Sequence, residues 1–216
     1  MASTARWGSM RALLALTATL ALAQCASAPK DEPRPEPVAA PTGYLVIGVA
    51  ESAANTQPEY LMLWRKVDPV TGGFAALNGH TSFEAHTNDN GSLRVRGVPG
   101  EFEHFQLEPG VYALDSVFAI LHDQRVNYFA QGVIAGPERP SFEIQAGDAL
   151  YLGIWELNLE EAAATARLWR LQSDDARALI NASTGPHLAL TLRQTQTLAV
   201  PCAPHRTSDI SQRQVC

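Results

Sequence analysis

Histidine and carboxylate side chains are concentrated in residues 78–91, a segment that is also rich in Asn, Thr and Gly. Imidazole and carboxylate groups ligate transition metals and calcium, so this segment has suitable chemistry for a cation site. The candidate ligands are His80, Glu84, His86 and Asp89. Their spacing matches no established metal motif, and Asn, Asp and Gly equally favour a solvated loop made of turns. We therefore predict no bound metal and no cofactor, and these four residues are the candidates if a metal does bind.

A second set, Glu101, Glu103 and His104, has the residue types for acid and base catalysis. In a strand, residues 101 and 103 share one face and residue 104 lies on the other, so the three meet only with help from a bulge. A solvent-facing polar strip is the alternative. The sequence contains no nucleophile elbow, phosphate-binding glycine loop, His-Glu-x-x-His motif or dinucleotide fingerprint. We predict no catalytic residue and a protein that is not an enzyme.

The first 24 residues have the parts of an export signal. Arg6 and Arg11 precede an uncharged run of mostly Ala and Leu at residues 12–23. Such a run is too short to cross a bilayer core of about 30 Å as a helix, so a permanent transmembrane helix is the poorer interpretation. We expect residues 1–24 to be a signal peptide.

Residues 22–25 (LAQC) resemble the lipobox of bacterial lipoproteins. In that family the cysteine, here Cys25, is acylated and becomes the new N-terminus, and the Ala26 that follows it implies the outer membrane. The alternative is ordinary cleavage after Ala23, which would give a soluble periplasmic or secreted protein beginning at Gln24. Residues 25–42 are rich in proline, which predicts an extended tether between the lipid and a folded domain.

The remaining cysteines, Cys202 and Cys216, form a natural pair if Cys25 carries the lipid. A disulfide between them would close a loop of about fifteen residues, and an exported chain meets the oxidising conditions that such a bridge requires. Two alternatives stay open. One thiol is free or pairs between chains if Cys25 is not acylated, or Cys202, His205 and Cys216 bind zinc.

From Gly43 onward, short apolar or alternating runs separated by turn residues predict a mainly β fold. We expect residues 43–193 to form an antiparallel β-sandwich of about seven to nine strands. Residues 43–50 and 149–158 are apolar on both faces, which predicts interior strands. Residues 68–91 are predicted to be a long loop with one short strand.

One short helix is predicted near residues 174–183. Ser173 can cap it, and Asp174 and Asp175 would lie in the first turn, where the helix dipole favours anions. The polar residues 194–216 are predicted to form an irregular tail that the disulfide holds in place.

Three segments resemble uncharacterised envelope lipoproteins of Gram-negative bacteria. They are residues 109–112 (PGVY), residues 142–153 (FEIQAGDALYLG) and Asp174-Asp175. The resemblance implies a single β-sandwich domain of immunoglobulin-like or transthyretin-like type behind a lipobox. It implies no catalytic residues.

Trp64, Trp155 and Trp169 lie in predicted strands among apolar neighbours, which predicts that they pack in the core. On an exposed sheet face, the same residues would suit sugar stacking or a protein partner. The structure therefore decides between two uses of these rings.

Acidic side chains outnumber basic ones, 22 to 16, and the formal net charge is −6, which argues against nucleic acid as a partner. We expect an exported outer-membrane lipoprotein that acts as a non-enzymatic binding or scaffolding module. Its expected partners are the membrane, through the lipid anchor, and an envelope protein. The alternatives are a periplasmic small-ligand or glycan-binding domain and a metal-dependent hydrolase that uses residues 80–90.

Overall fold

The computed structural model describes residues 41–51, 58–87, 93–95, 98–122, 127–134, 136–172, 174, 176–177, 189–209 and 212–216. The predicted signal peptide, Cys25 and most of the predicted tether lie outside the described residues. The strands are β1 (Gly43–Glu51), β2 (Glu59–Lys66), β3 (Ser82–His86), β4 (Leu93–Val95), β5 (Val98–Leu107), β6 (Gly110–His122), β7 (Asn127–Val133), β8 (Glu138–Ile144), β9 (Ala149–Glu160), β10 (Ala163–Arg170), β11 (Thr191–Leu192), β12 (Gln196–Ala199), β13 (His205–Arg206) and β14 (Gln214–Val215).

Two six-stranded sheets contain most of these strands, so the predicted mainly β fold is confirmed. The first sheet has the order β10-β9-β1-β5-β4, with β11 also paired to β9. The second sheet has the order β12-β8-β6-β2-β3, with β7 also paired to β6. The short strands β13 and β14 pair with each other as a separate hairpin.

Two details of the predicted architecture are wrong. The first sheet is mixed instead of antiparallel, because β1 and β11 both pair with β9 in parallel. The two sheets hold twelve strands, six in each, which exceeds the prediction. Strands β4, β11 and β12 have only three, two and four residues, too few for an alternating pattern to show in the sequence. Strand β12, in the tail predicted to be irregular, extends the second sheet beside β8.

The predicted helix at residues 174–183 is not found as an element in the described residues. Helical backbone is described only at Asp174, Ala176 and Arg177, and residues 178–183 lie outside the description. The Ala176 side chain is completely buried against the first sheet. The described part of the chain contains no helix that is long and apolar enough to cross a membrane.

The two sheets share one hydrophobic core, which gives a sandwich-like arrangement. Trp64 on β2 packs edge-on against Phe142 on β8 and Trp155 on β9, with ring centroids 5.5 and 5.6 Å apart. Alternate residues of β1, β2, β6 and β9 point into this core, as the two-residue period of a strand requires. A Cβ on Gly132 would clash with the carbonyl oxygen of Ala164, so β7 and β10 approach closely where the sheets meet.

The start of β1 marks what we call the proximal end of the sheets. A Cβ on Gly43 would lie 2.5 Å from Ile144 Cγ1, which brings the start of β1 against the end of β8. Ile144 pairs with Gly110, and Gly110 lies against the Lys66 side chain at the end of β2. The loop from β2 to β3, residues 67–81, therefore leaves the second sheet at this proximal end.

Candidate functional site

Two of the four predicted metal-ligand candidates, Glu84 and His86, meet on β3. Their side chains lie on the outer face of the second sheet, because Phe83 and Ala85, which alternate with them, point into the core. His86 Nε2 is 3.7 Å from Glu84 Oε2, and His86 Nδ1 is 3.6 Å from Glu59 Oε1 on the neighbouring β2. A protonated imidazole would thus form ion pairs through both of its nitrogens.

The other two candidates do not join this group. The His80 side chain is 83% exposed, and its Nδ1 lies 3.8 Å from Glu108 Oε1 at the proximal end. Asp89 lies outside the described residues. Within the residues that the structure describes, no three His, Cys, Asp or Glu side chains form a group that could hold a metal ion.

Glu103 caps the open edge of β3. Thr87 N donates to Tyr60 O on β2, so the N–H of the preceding His86 points away from β2. That N–H donates to Glu103 Oε1 on β5 at 2.9 Å. Burial raises the pKa of the Glu103 carboxyl, and the hydrogen bond from His86 opposes the shift. The contact joins the two sheets and blocks an edge to which another strand could otherwise pair.

The predicted acid and base set is divided between the two faces of β5, as the spacing indicates. Glu101 lies close enough to Glu103 for its charge to raise the Glu103 pKa. His104 lies on the opposite face, where its ring stacks on Tyr44 with centroids 5.8 Å apart. The three groups therefore do not converge on a common point.

An aspartate is buried on the outer face of the second sheet. The pairing of β2 with β6 shifts so that Leu63 faces Ser116 and Trp64 faces Leu114, which makes Asp115 the extra residue of a β-bulge. Asp115 is 0% exposed. Its Oδ2 accepts from Arg65 Nη1 at 2.7 Å, and its Oδ1 accepts from Ser116 Oγ at 2.8 Å. The bulge therefore turns a charged residue of an apolar strand toward a cationic partner.

Arg139 on β8 is the second buried cation of this cluster. Its guanidinium donates to the carbonyl oxygens of Leu114, Asp115, Ile134 and Val200 at 2.8 to 3.3 Å. Its Nη2 also lies 3.1 Å from Cys216 Sγ. Burial lowers the pKa of Arg139, and the Asp115 charge opposes that shift. Arg139 is thus held mainly by neutral acceptors.

Phe74 anchors the β2–β3 loop to this cluster. Its ring packs against the guanidinium groups of Arg65 and Arg139, whose Cζ atoms lie 4.9 and 5.3 Å from the ring centroid. Arg65 Nη2 also donates to the Ala75 carbonyl oxygen at 2.5 Å. The middle of the loop is therefore fixed to the sheet by cation–π and hydrogen-bond contacts.

Short-range hydrogen bonds shape the rest of the same loop. Asp68 Oδ1 accepts from Val70 N at 2.8 Å, and Asn78 Oδ1 accepts from His80 N at 2.8 Å. The Val70 and Leu77 side chains between these two turns are 91% and 43% exposed. The loop thus holds two aliphatic side chains in water on a hydrogen-bonded backbone.

The C-terminal residues form a disulfide-closed hairpin over the outer face of the second sheet. The predicted disulfide is confirmed: Cys202 and Cys216 are bonded, and β13 and β14 pair between them. Val215 packs in an apolar cluster with Leu61, Leu63 and Phe118. The hairpin therefore covers sheet residues that would otherwise face water.

Arg213 and Cys216 add polar contacts to this cover. The Arg213 Cζ lies 4.4 Å above the Phe118 ring, and its Nη2 forms an ion pair with Glu84. Cys216 N donates to Asp115 Oδ1 at 3.0 Å. The hairpin is thus linked to both the buried charges and the carboxylates of β3.

The tryptophans follow the core prediction at two of three positions. Trp64 and Trp155 are buried in the shared core. Trp169 is partly buried against the outer face of the first sheet.

A polar groove of about 310 Å³ lies elsewhere on β9 and β10. It is lined by Glu156, Asn158, Glu160, Thr165, Ala166 and Arg167.

The chain matches no known protein-family model, and no curated protein and no solved structure showed significant similarity to it.

The sequence predictions missed the buried cluster of Arg65, Asp115 and Arg139, although Asp115 carries a signal for it. An acidic residue inside the long apolar run of β6 requires a charged or hydrogen-bonding partner if the strand is buried. No comparable signal marks Phe74 or Arg139.

Proposed function

We propose that this protein is a lipid-anchored cell-envelope module that binds an envelope protein through its β2–β3 loop. The main support for this proposal is the exposure of Val70. This residue is 91% exposed on a loop whose backbone is fixed by hydrogen bonds. A loop that is ordered before binding loses less conformational entropy when its partner arrives. Binding residues are often found on loops that a rigid scaffold holds in place, and the β2–β3 loop is such a loop.

The way in which the loop is anchored supports this proposal. Phe74 fixes the middle of the loop to two buried arginines, while Val70 and Leu77 on either side of it stay in solvent. A loop that merely connected two strands would gain more stability by turning these aliphatic side chains inward. Keeping them outside on a rigid backbone favours a role in recognition.

The alternatives from the sequence have less support. Trp64 and Trp155 serve the core, so they are not available to stack on a sugar ring. His80 lies beside Glu108 and not beside Glu84 and His86, so the residues suggested for a metal-dependent hydrolase are divided. Both observations favour an interaction module.

The lipid anchor is tested separately from the interaction. In a Gram-negative host, the wild-type chain should incorporate a radiolabelled fatty acid and fractionate with the outer membrane. The variant Cys25→Ser should lose the label and appear in the soluble periplasmic fraction. Membrane retention of this variant without any label would contradict the anchor and leave the interaction site to its own experiment.

The interaction is tested by photo-crosslinking in cells. A photoreactive amino acid is placed at position 70 and, as a matched control, at Ala146 in an exposed turn at the same proximal end. We expect one discrete adduct from position 70 and none from position 146. Purified wild-type domain should compete with this adduct at least about tenfold better than the Val70→Asp domain. Equal labelling from both positions, or equal competition by both domains, would rule out the loop as the binding site.

A further inference from the structure

The two sulfur atoms of the Cys202–Cys216 disulfide have unlike surroundings. Cys202 lies in an exposed stretch, where Pro201, Ala203 and Pro204 are all open to solvent. Cys216 follows the buried Val215, and its Sγ lies 3.1 Å from Arg139 Nη2. Both cysteines are half-buried, and the feature that distinguishes them is the buried guanidinium of Arg139 beside the Cys216 sulfur.

The charges around Cys216 favour a thiolate at that position. The buried side chains of Arg65, Asp115 and Arg139 carry two positive charges and one negative charge. Asp115 forms its ion pair with Arg65, whereas the other hydrogen bonds of Arg139 go to carbonyl oxygens. Arg139 would stabilise a thiolate at Cys216, whereas the Asp115 carboxylate, which accepts from Cys216 N, opposes it less strongly because it is already paired with Arg65.

We propose that Cys202–Cys216 is an exchangeable disulfide, with Cys202 as the attacked sulfur and Cys216 as the leaving thiolate beside Arg139. The reductant is a dithiol protein of the Cys-x-x-Cys class. Its first thiolate bonds to Cys202 Sγ, and the electron pair of the broken S–S bond stays on Cys216 Sγ. Its second thiol then attacks the first sulfur and releases Cys202, which takes up the proton that this second thiol loses. Two electrons pass to the chain, and the partner ends as a disulfide.

Opening this bond changes the surface of the second sheet. The closed hairpin places Val215 on Leu61, Leu63 and Phe118, and Arg213 on the Phe118 ring. Without the covalent link to Cys202, non-covalent contacts alone hold the hairpin, among them the Arg213–Glu84 ion pair and the hydrogen bond from Cys216 N to Asp115. Reduction therefore weakens the cover over the apolar strip of Leu61, Leu63 and Phe118.

The first test uses the wild-type mature domain without denaturant. The protein is treated with glutathione, quenched by alkylation, digested and mapped by mass spectrometry. We expect glutathione on Cys202 and the alkyl group on Cys216, with this isomer at least about tenfold more abundant than the reverse, because a better leaving group departs faster. Equal amounts of the two isomers would overturn the assignment of the leaving sulfur. A disulfide that reacts only in denaturant would overturn the exchange itself.

The second test compares single-cysteine variants, each of which leaves one thiol. In Cys202→Ser, the absorbance of the Cys216 thiolate near 240 nm should titrate with a pKa at least about one unit below its usual value. The matched variant Cys216→Ser should show an ordinary thiol at Cys202. Adding Arg139→Lys to Cys202→Ser should keep the low pKa, whereas Arg139→Gln should remove it. An ordinary pKa for Cys216 in the folded single variant would contradict the role of Arg139 even if the arginine variants fail to fold.

Discussion

The outer faces of the two sheets are covered in different ways. On the first sheet, Tyr151 and Ile154 are buried beneath Ala176 and Leu190, and the contacts are apolar. On the second sheet, Val215 covers a small apolar cluster, and the same segment bonds to Asp115, Glu84 and Cys202. The first cover depends on apolar area, whereas the second depends on charge geometry and on one covalent bond.

The two covers should therefore respond differently to reductant and to loss of a charged partner. Apolar burial is insensitive to redox state and changes little with pH or salt. A buried ion cluster is sensitive to the loss of either partner, and a disulfide is sensitive to reductant. The cover of the second face therefore depends on a bond that a reductant can break and on charges that a single substitution can remove.

The largest expected effect comes from breaking the charged cluster. Asp115→Ala would leave Arg65 buried without its carboxylate, and we expect the free energy of unfolding to fall by about 3–5 kcal/mol. The matched variant Glu156→Ala removes an ion pair on the first sheet whose Arg167 side chain is 75% exposed. That change should cost less than about 1 kcal/mol. Urea unfolding of both variants checks the comparison. Equal decreases in the free energy of unfolding would mean that the buried cluster stabilises the fold no more than the exposed ion pair does.

The second effect concerns the covalent link. Replacing both Cys202 and Cys216 by Ser should lower the free energy of unfolding by about 3 kcal/mol, the chain-entropy value for a loop of this size. Trypsin should then cut after Arg213 faster than in the wild-type protein, because the hairpin opens locally. Hydrogen exchange at Tyr151 on the first sheet serves as the internal control. If Tyr151 and Val215 lose protection together, the two covers are not independent.

The third effect tests the apolar cover of the first sheet. Leu190→Ala should cost about 2 kcal/mol, near the lower end for a buried leucine, because Leu190 lies in a cover and not in the main core. The loss should be the same in the wild-type chain and in the double serine variant, since distant sites add within about 0.5 kcal/mol. Thermodynamic coupling clearly larger than that would show that the two faces communicate.

Much of the fold follows from sequence pattern. Residues 43–50 and 149–158 are apolar on both faces, and they become the interior strands β1 and β9. Their parallel pairing does not follow, because the two-residue period is the same in parallel and antiparallel strands. The helix prediction at residues 174–183 considered only capping and helix propensity. It could not show that the Ala176 side chain packs against the first sheet, because that contact depends on the tertiary fold.

The candidate site was predictable only where chemistry is local. The cysteine pair could be found by counting, and Glu84 and His86 could be found from their residue types. The cation that Asp115 would meet could not be identified, because Arg65 is 50 residues away along the chain and Arg139 is 24 residues away. Such contacts depend on strand order, and three of the twelve sheet strands are too short to be seen in the pattern.

The smallest expected effect concerns the edge at which the first sheet caps the second. Burial raises the pKa of Glu103 above its usual value of 4.5, so the native state keeps this proton at pH values where the unfolded chain has lost it. The free energy of unfolding should therefore fall as the pH rises from 4.5 through the raised native pKa. Glu103→Gln keeps an acceptor for the His86 N–H and does not titrate, so it should lose this pH dependence. Exposed Glu143→Gln is the matched loss of a surface carboxylate. Urea unfolding across this pH range decides the matter: if wild type and Glu103→Gln respond alike, Glu103 is not a titrating link between the sheets.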